Sequence, residues 1–320
     1  LSDAERQLWL NKVNARLAAL TSPAKLTLDI TLQFDSHFLV NDPSRAGSIE
    51  EGKTSQTPLF DVNGRLLLPA SSFRGALRSQ AEKILRTMRG EQAACYPDNN
   101  GPRSSCEAVY EEKGLAGLCL ACKVFGAPGW KSPITLTSFT TATPVPRPRS
   151  ETAARQGHES GKLGIQEFVA IDRFTGGGAH GSENAEQPDQ KHSDFRGKKF
   201  NAASVYKPQL SGKMKIDLQA LQRAGAGDWA GGLLALTMRD LIEGDIRFGF
   251  GAAKGYGAMR AQVRLAMLPH WDDCPDEFKR GLDENLWNAA ALNGLKNALQ
   301  AQIEALSQIE IVAKDNERRN

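Results

Sequence analysis

The sequence contains no apolar run approaching the roughly 20 residues that span a bilayer, and its start lacks the basic-then-apolar order of a signal peptide. The expectation from both absences is a soluble, cytoplasmic protein with no membrane partner. Charge of one sign is also scarce in excess: 40 Lys and Arg face 37 Asp and Glu, for a net charge of +3 and a pI near 8.6. Bulk charge therefore does not identify a polyanionic partner, and only local clustering can. The phosphate-binding pattern G-x4-G-K-[ST] is absent, which excludes a P-loop. His180 and His192 show no metal-ligand spacing.

What is present suffices for a core. The 320 residues are 40% hydrophobic, enough for one elaborated domain or two small ones. The chain starts at Leu1, and residues 4 to 20 have the pattern of an amphipathic helix, which suits a trimmed start or a segment of a longer polypeptide. Residues 1–24 are accordingly read as an N-terminal helix and linker.

The clearest local logic lies in GRLLLPASSFRGALRSQAEKILRTMR, residues 64 to 89. A short apolar strand ends at Pro69, Ser71 and Ser72 stand where a helix N-cap is expected, and Leu77, Ala81, Ile84, Leu85 and Met88 recur at helical spacing. Arg74, Arg78, Arg86 and Arg89 follow another face. Free N–H groups, two hydroxyls, Arg74 one turn in and the small Gly75 together suit a phosphate. A solvated amphipathic helix is the alternative.

Upstream, Leu26, Leu28, Ile30, Leu32 and Phe34 alternate with polar residues, which predicts a strand with one buried face. Residues 35 to 58 form a long polar loop whose acids are Asp42, Glu50 and Glu51. Downstream, Cys95, Cys106, Cys119 and Cys122 give C-x10-C-x12-C-x2-C in a stretch rich in Pro, Asn, Ser and Gly. Four thiolates can close a tetrahedral zinc site. A reducing cytosol disfavours disulfides, so a structural Zn2+ or unliganded thiols are the readings, and Cys274 stands apart.

Ile134 to Thr141 alternates like a strand and is followed by a basic loop with Arg147, Arg149 and Arg155. In the next segment Phe168, Val169 and Ile171 form a strand edge before Gly176 to Gly178, with Arg173 and Phe174 at the shoulder. Such a shoulder suits wedging into or stacking on nucleotides, or simple surface packing. Leu210, Met214, Ile216 and Leu218 predict another strand, and Trp229 to Leu241 a buried helix. IRFGFGAAKGYGAM then sets Gly251 and Gly255 around Lys254, where backbone N–H groups and one cation can meet phosphate. From Pro269 the spacing of Leu282, Leu286, Leu292, Leu295, Leu299, Ile303 and Leu306 predicts helices.

GRLLLPASSFRGALRS resembles the strand-turn-helix signature of the RAMP superfamily, G-x-x-x-I-P-G-S-S-x-[KR]-G-x-[LI]-R, with Ala70 in place of Gly. CKVFG, VAIDRFTGG and FGFGAAKGYGAM resemble three further family features, in order across residues 25 to 268. The likeness is to backbone subunits or fused domains of type III CRISPR effectors. It implies an α+β fold with a ferredoxin-like (RRM-like) core at 25–268, a zinc-binding insertion at about 90–125, a thumb hairpin at about 160–200 and a helical C-terminal segment at 269–320.

The partners implied are CRISPR RNA, target RNA and other RAMP subunits or domains. Ser71, Ser72, Arg74 and Arg78 would hold guide phosphates, with Gly251, Lys254 and Gly255 opposite and Arg173 and Phe174 on the thumb. Active relatives cut target RNA with a loop aspartate and a divalent ion, Mg2+ or Mn2+. Here KTSQTPL stands where that aspartate is usual, which leaves Asp42 as first candidate and Glu50 and Glu51 behind it. A catalytically silent scaffold and a zinc-stabilised protein-interaction domain without RNA are the other two functions compatible with the sequence.

Overall fold

The structure, a computed structural model, describes residues 25–42, 44, 56–96, 103–107, 114–146, 159–169, 199–267 and 302–309, together with residues 7, 272 and 300. The predicted N-terminal helix, Glu50, Glu51, Arg173, Phe174, the Gly176 to Gly178 turn and most of the C-terminal helical segment lie outside these residues.

The alternating stretch forms β1 (Lys25–Phe34), with Leu26, Leu28, Ile30, Leu32 and Phe34 all buried. It is paired antiparallel on both sides, with β8 (Gln209–Asp217) and with β9 (Met259–Met267). Beyond β8 lie β4 (Ile134–Leu136) and β5 (Phe139–Thr140), and β3 (Leu67–Leu68) closes that edge. The six strands run β3-β5-β8-β1-β9, with β4 also on β8. The predicted strand at 134 to 141 is thus two pieces. At the break, Thr137 N donates to Lys213 O and its side-chain Oγ1 accepts from Lys213 N at 2.8 Å, so a side chain takes over one rung of the ladder.

Two helices contribute to the core beside this sheet. α1 (Ala70–Arg89) buries Phe73, Leu77, Ala81 and Leu85, a strict four-residue stripe, and each of the three large side chains contributes about 1.5–3 kcal/mol by leaving water. α4 (Ala230–Glu243) lies beside α1, where Gln80 Nε2 donates to Asp240 Oδ2 at 2.8 Å. The chain passes into it from β8 through α3 (Leu218–Arg223), capped by the Asp217 carboxylate. A short helix at 302–308, α5, packs directly on the α4 backbone: a Cβ on Gly232 would stand 2.6 Å from Ile303 N. Leu306 is fully buried there, and Arg89 Nη1 donates to Ser307 O at 2.5 Å. This part of the C-terminal segment belongs to the core. Among the described residues no helix is long and apolar enough to cross a membrane.

A second sheet of three strands has the order β2-β7-β6, from β2 (His37–Phe38), β6 (Leu163–Val169) and β7 (Lys199–Tyr206). β1 turns into β2 across Asp35 and Ser36, and β7 turns into β8 across Lys207 and Pro208. The two corners are tied to each other, since Phe34 N donates to Pro208 O at 3.0 Å and Lys207 N to Ser36 O at 2.8 Å. Lys207 adopts φ 44, which among the described residues only glycines otherwise share.

After α1 the chain enters the cysteine-bearing stretch. Gly90 ends the helix, short 3-10 turns form at Glu91–Ala93 and Gly114–Gly117, and α2 (Leu120–Phe125) returns the chain to the core.

Candidate nucleic-acid interface and cysteine cluster

The first turn of α1 is open. Pro69, with φ −59 and ψ 144, occupies the N-cap position and supplies no side-chain cap, so the helix begins two residues earlier than a cap at Ser71 would set it. Ser71 and Ser72 are exposed at the second and third helical positions, and Gly75 is exposed with open space around it. Ala70 N donates to Ser138 Oγ at 3.4 Å, and Arg74 is half-buried with Nη2 donating to Ile134 O at 3.0 Å. N–H groups, hydroxyls and a dipole positive at this end therefore converge on one exposed patch.

Phe73, four residues into the helix, stacks on Phe248 with centroids 5.1 Å apart and planes 8° apart, and on Phe139 at 4.2 Å. This contact brings the glycine-rich loop to the same end of the domain. The loop is pinned to the start of the second sheet: Phe250 N donates to Leu39 O, Gly257 N to His37 O, and Ser36 Oγ to Gly255 O at 2.6 Å. The pinning needs glycine. A Cβ on Gly249 would stand 2.2 Å from Leu39 O and one on Gly257 2.0 Å from Phe248 O, and both residues have positive φ.

Lys254 is exposed at the tip, its Nζ 4.7 Å from the centre of the Phe168 ring on β6. Gly251 and Gly255 flank it in the left-handed region. Phe73 and Phe248 thus join the helix start that carries Ser71, Ser72 and Arg74 to the base of the loop that carries Gly251, Lys254 and Gly255.

Beneath the loop lies a cluster that sequence reasoning missed. His37 packs between Tyr206 and Tyr256, at 4.9 and 5.2 Å, and its Nδ1 is 3.0 Å from the buried Ser204 hydroxyl. Phe168 meets Tyr256 edge-on at 5.7 Å. Burial pushes the Tyr256 phenol above its ordinary pKa, keeping it neutral. These residues come from β2, β6, β7 and the glycine loop, and no local period in the sequence joins them.

Asp42 is buried at the root of the long loop. Its N–H donates to Thr57 O, and its Oδ1 accepts from Ser44 N at 3.0 Å and Ser44 Oγ at 2.6 Å. That is a local turn in which an acid holds the backbone two residues on.

The four cysteines, spread over 28 residues of sequence, meet in space. All are buried, and their Sγ atoms lie within 4.8 Å of one another, with Cys95 and Cys122 at 3.5 Å. A tetrahedral thiolate site with metal–sulfur bonds near 2.3 Å has sulfur–sulfur edges of about 3.8 Å. The donor set therefore fits a tetrahedral metal ion. Cys119 N donates to Cys106 Sγ at 3.3 Å and Cys122 N to Cys119 Sγ at 3.4 Å, the latter also capping α2. Hydrogen bonds from Cys119, Cys122 and Cys95 hold the Cys106 thiol far below its ordinary pKa.

Arg78 is put to a different use from the phosphate contact its place in the signature suggests. Its Nη2 lies 3.1 Å from Cys122 Sγ and 3.9 Å from Cys95 Sγ, its Nη1 donates to Gly126 O, and its Nε pairs with Glu82 at 2.8 Å. Burial disfavours the guanidinium charge, but Cys122 and Glu82 outweigh it and raise the pKa. No local pattern signals this contact, because Arg78 and Cys122 are 44 residues apart.

The RAMP superfamily profile matches residues 42–260, about two thirds of the chain. The chain belongs to the RAMP superfamily. Among solved structures it is similar to a chain in the cryo-EM structure of the type III-B Cmr-beta complex bound to cognate target RNA, with 11% identity over 83% of this chain and 69% of that one, at a TM-score of 0.43. It is also similar to a chain of a type IV-B CRISPR complex, with 18% identity over 76% of this chain and 92% of that one, at a TM-score of 0.44. No curated protein matches the chain.

Proposed function

We propose that this chain is a CRISPR RNA-binding backbone subunit, or a fused domain, of a type III interference complex, and that it holds guide and target RNA. The observation that carries the reading is the meeting, through Phe73 and Phe248, of the open first turn of α1 with the glycine-rich loop in a chain of the RAMP superfamily. Ser71 and Ser72 donate to phosphate oxygens, Arg74 supplies charge one turn in, and Lys254 with Gly251 and Gly255 closes the other side. The core is ferredoxin-like: β1, the β4/β5 edge, β8 and β9, with α1 and α4 as the two connecting helices, follow the β-α-β-β-α-β order, and the sheet order is β5-β8-β1-β9. β6 and β7 are the base of the thumb, and Arg173 and Phe174, between them in sequence, are assigned to RNA. Other RAMP subunits or domains are the protein partners.

Cys95, Cys106, Cys119 and Cys122 hold a structural Zn2+, supported by their burial and mutual distances. The ion supplies a crosslink for a stretch with few large apolar residues. Target RNA cleavage with Mg2+ or Mn2+ is the finer part of the proposal and is assigned to Asp42, at the root of the loop that precedes α1.

The test is RNA binding across a salt series. The wild type binds single-stranded RNA with a salt-dependent affinity, and Arg74→Ala and Lys254→Ala each reduce the slope of log K against log salt by about 0.7, one phosphate contact on a single strand. Wild-type protein that does not bind RNA would point instead to a protein-interaction domain. Unchanged slopes in both variants would remove this site from the reading.

A further inference from the structure

The geometry points to Arg78 as a positioning residue of the metal centre: its guanidinium serves as an outer-shell ligand that hydrogen-bonds the Cys122 and Cys95 thiolates and so fixes the cysteine stretch to α1. This rests on the reading of the four cysteines as a metal site. Four thiolates around a divalent ion carry a net charge of about −2, and a buried charge of that size needs donors. Two thiolates have backbone donors, Cys106 from Cys119 N and Cys119 from Cys122 N. Arg78 reaches the other two, at 3.1 and 3.9 Å.

The arginine is itself held. Glu82 takes its Nε and Gly126 O takes Nη1, and Glu82 is in turn met by Arg86, whose Nη2 donates to Cys95 O at 3.0 Å and whose guanidinium lies 4.2 Å from the centre of the Tyr96 ring. Arg78, Glu82 and Arg86 stand at four-residue spacing on one face of α1, so a single helix stripe clamps both ends of the cysteine stretch. A planar fork that serves a thiolate, a carbonyl and a carboxylate at once has no lysine equivalent. Arg78 stands one turn beyond Arg74, so the same clamp sets the pose of the helix whose first turn faces RNA.

The test uses the full chain loaded with Zn2+ or Co2+, in competition with a chromogenic chelator. Arg78→Gln is expected to lower metal affinity 10- to 100-fold, the usual effect of removing an outer-shell partner. The sulfur-to-cobalt charge-transfer band should move to lower energy, because a thiolate that loses a hydrogen bond is a better electron donor. Arg78→Lys should move the band the same way, and it serves where Arg78→Gln does not fold. Arg74→Ala should leave affinity and band unchanged, and Arg78→Gln should leave the salt slope of RNA binding unchanged.

An unmoved band with wild-type metal affinity in both Arg78 variants overturns the inference, and a reduced salt slope in them assigns Arg78 to phosphate instead. Wild-type protein that takes up neither metal overturns the metal reading and this inference with it, without touching the RNA reading.

Discussion

At Gly257 and Gly255 the same residue type does different work. Gly257 combines a positive φ with a Cβ position 2.0 Å from Phe248 O, whereas Gly255 has a positive φ and open space. Gly255→Ala is expected to cost about 1–2 kcal/mol, the left-handed penalty alone. Gly257→Ala should add overpacking of about 1–3 kcal/mol, and urea denaturation of the two variants side by side would show the difference. Equal losses would mean that the loop gives way at no cost.

Asp61 offers a pH test on the same scale. Its carboxylate accepts from Arg65 N, Asn63 N and Arg65 Nε, and these bonds, led by the Arg65 backbone, hold its pKa below the ordinary value. A depressed folded-state pKa means stability that is complete above the unfolded pKa, about 3.9, and is lost as pH falls through the folded one. Thermal melts of wild type and Asp61→Asn should therefore differ near neutrality and converge in acid. A gap that widens as pH falls would contradict this.

Among the elements, α1 and β1 were the most legible in sequence, because one keeps the helical period and the other strict alternation over a full length. The start of α1 was less so: Ser71 and Ser72 have capping chemistry, but Pro69 has the fixed backbone that takes the cap position, and the serines are left facing outward. Phe73 was the larger omission, since a ring in the first turn cannot be told from a surface aromatic until Phe139 and Phe248 are brought to it from far along the chain. Phe73→Ala is expected to cost about 3–5 kcal/mol. It should also weaken RNA binding with no change in salt slope, because it separates two phosphate-facing elements and removes no cation. A changed slope would mean that the ring itself touches RNA.

On the proposed metal reading, the cysteine stretch depends on a bound ion as well as on its own packing. Cys119 is at once a member of the cluster and the cap of α2. Cys119→Ser, or chelation of the wild type, is expected to raise amide hydrogen exchange through residues 90 to 125 by far more than in β1, β8 and β9. Uniform exchange across the chain after chelation would show that the ion holds the whole domain and not this element alone.

On the scale of the whole molecule, the order of elements was readable, but the proximities that make a site were not. The His37, Ser204, Tyr206 and Tyr256 cluster joins three separate segments, and Arg78 meets Cys122 across 44 residues; no local period encodes either. The proposed cleavage is tested at this scale too, in an assembled ribonucleoprotein. Asp42→Ala should leave RNA binding intact and abolish divalent-ion-dependent cutting of target RNA at the position facing this domain. If wild type cuts and Asp42→Ala cuts equally well, Glu50 and Glu51 become the residues to test; if wild type does not cut, the domain is a silent scaffold.

The tied corners at Asp35–Ser36 and Lys207–Pro208 have a mechanical meaning. Two antiparallel strands pass from one sheet into the other side by side, cross-bonded at the bend, so the joint is a folded ribbon and not a single-chain pivot. A change of the angle at the bend must distort both strands of the ribbon and their cross-bonds together, and on the central-sheet side the same two strands stay paired for nine residue pairs. The second sheet therefore behaves as a stiff lever arm rooted in the central sheet. Its root is continuous with the strands of the sheet beside which α1 and α4 pack.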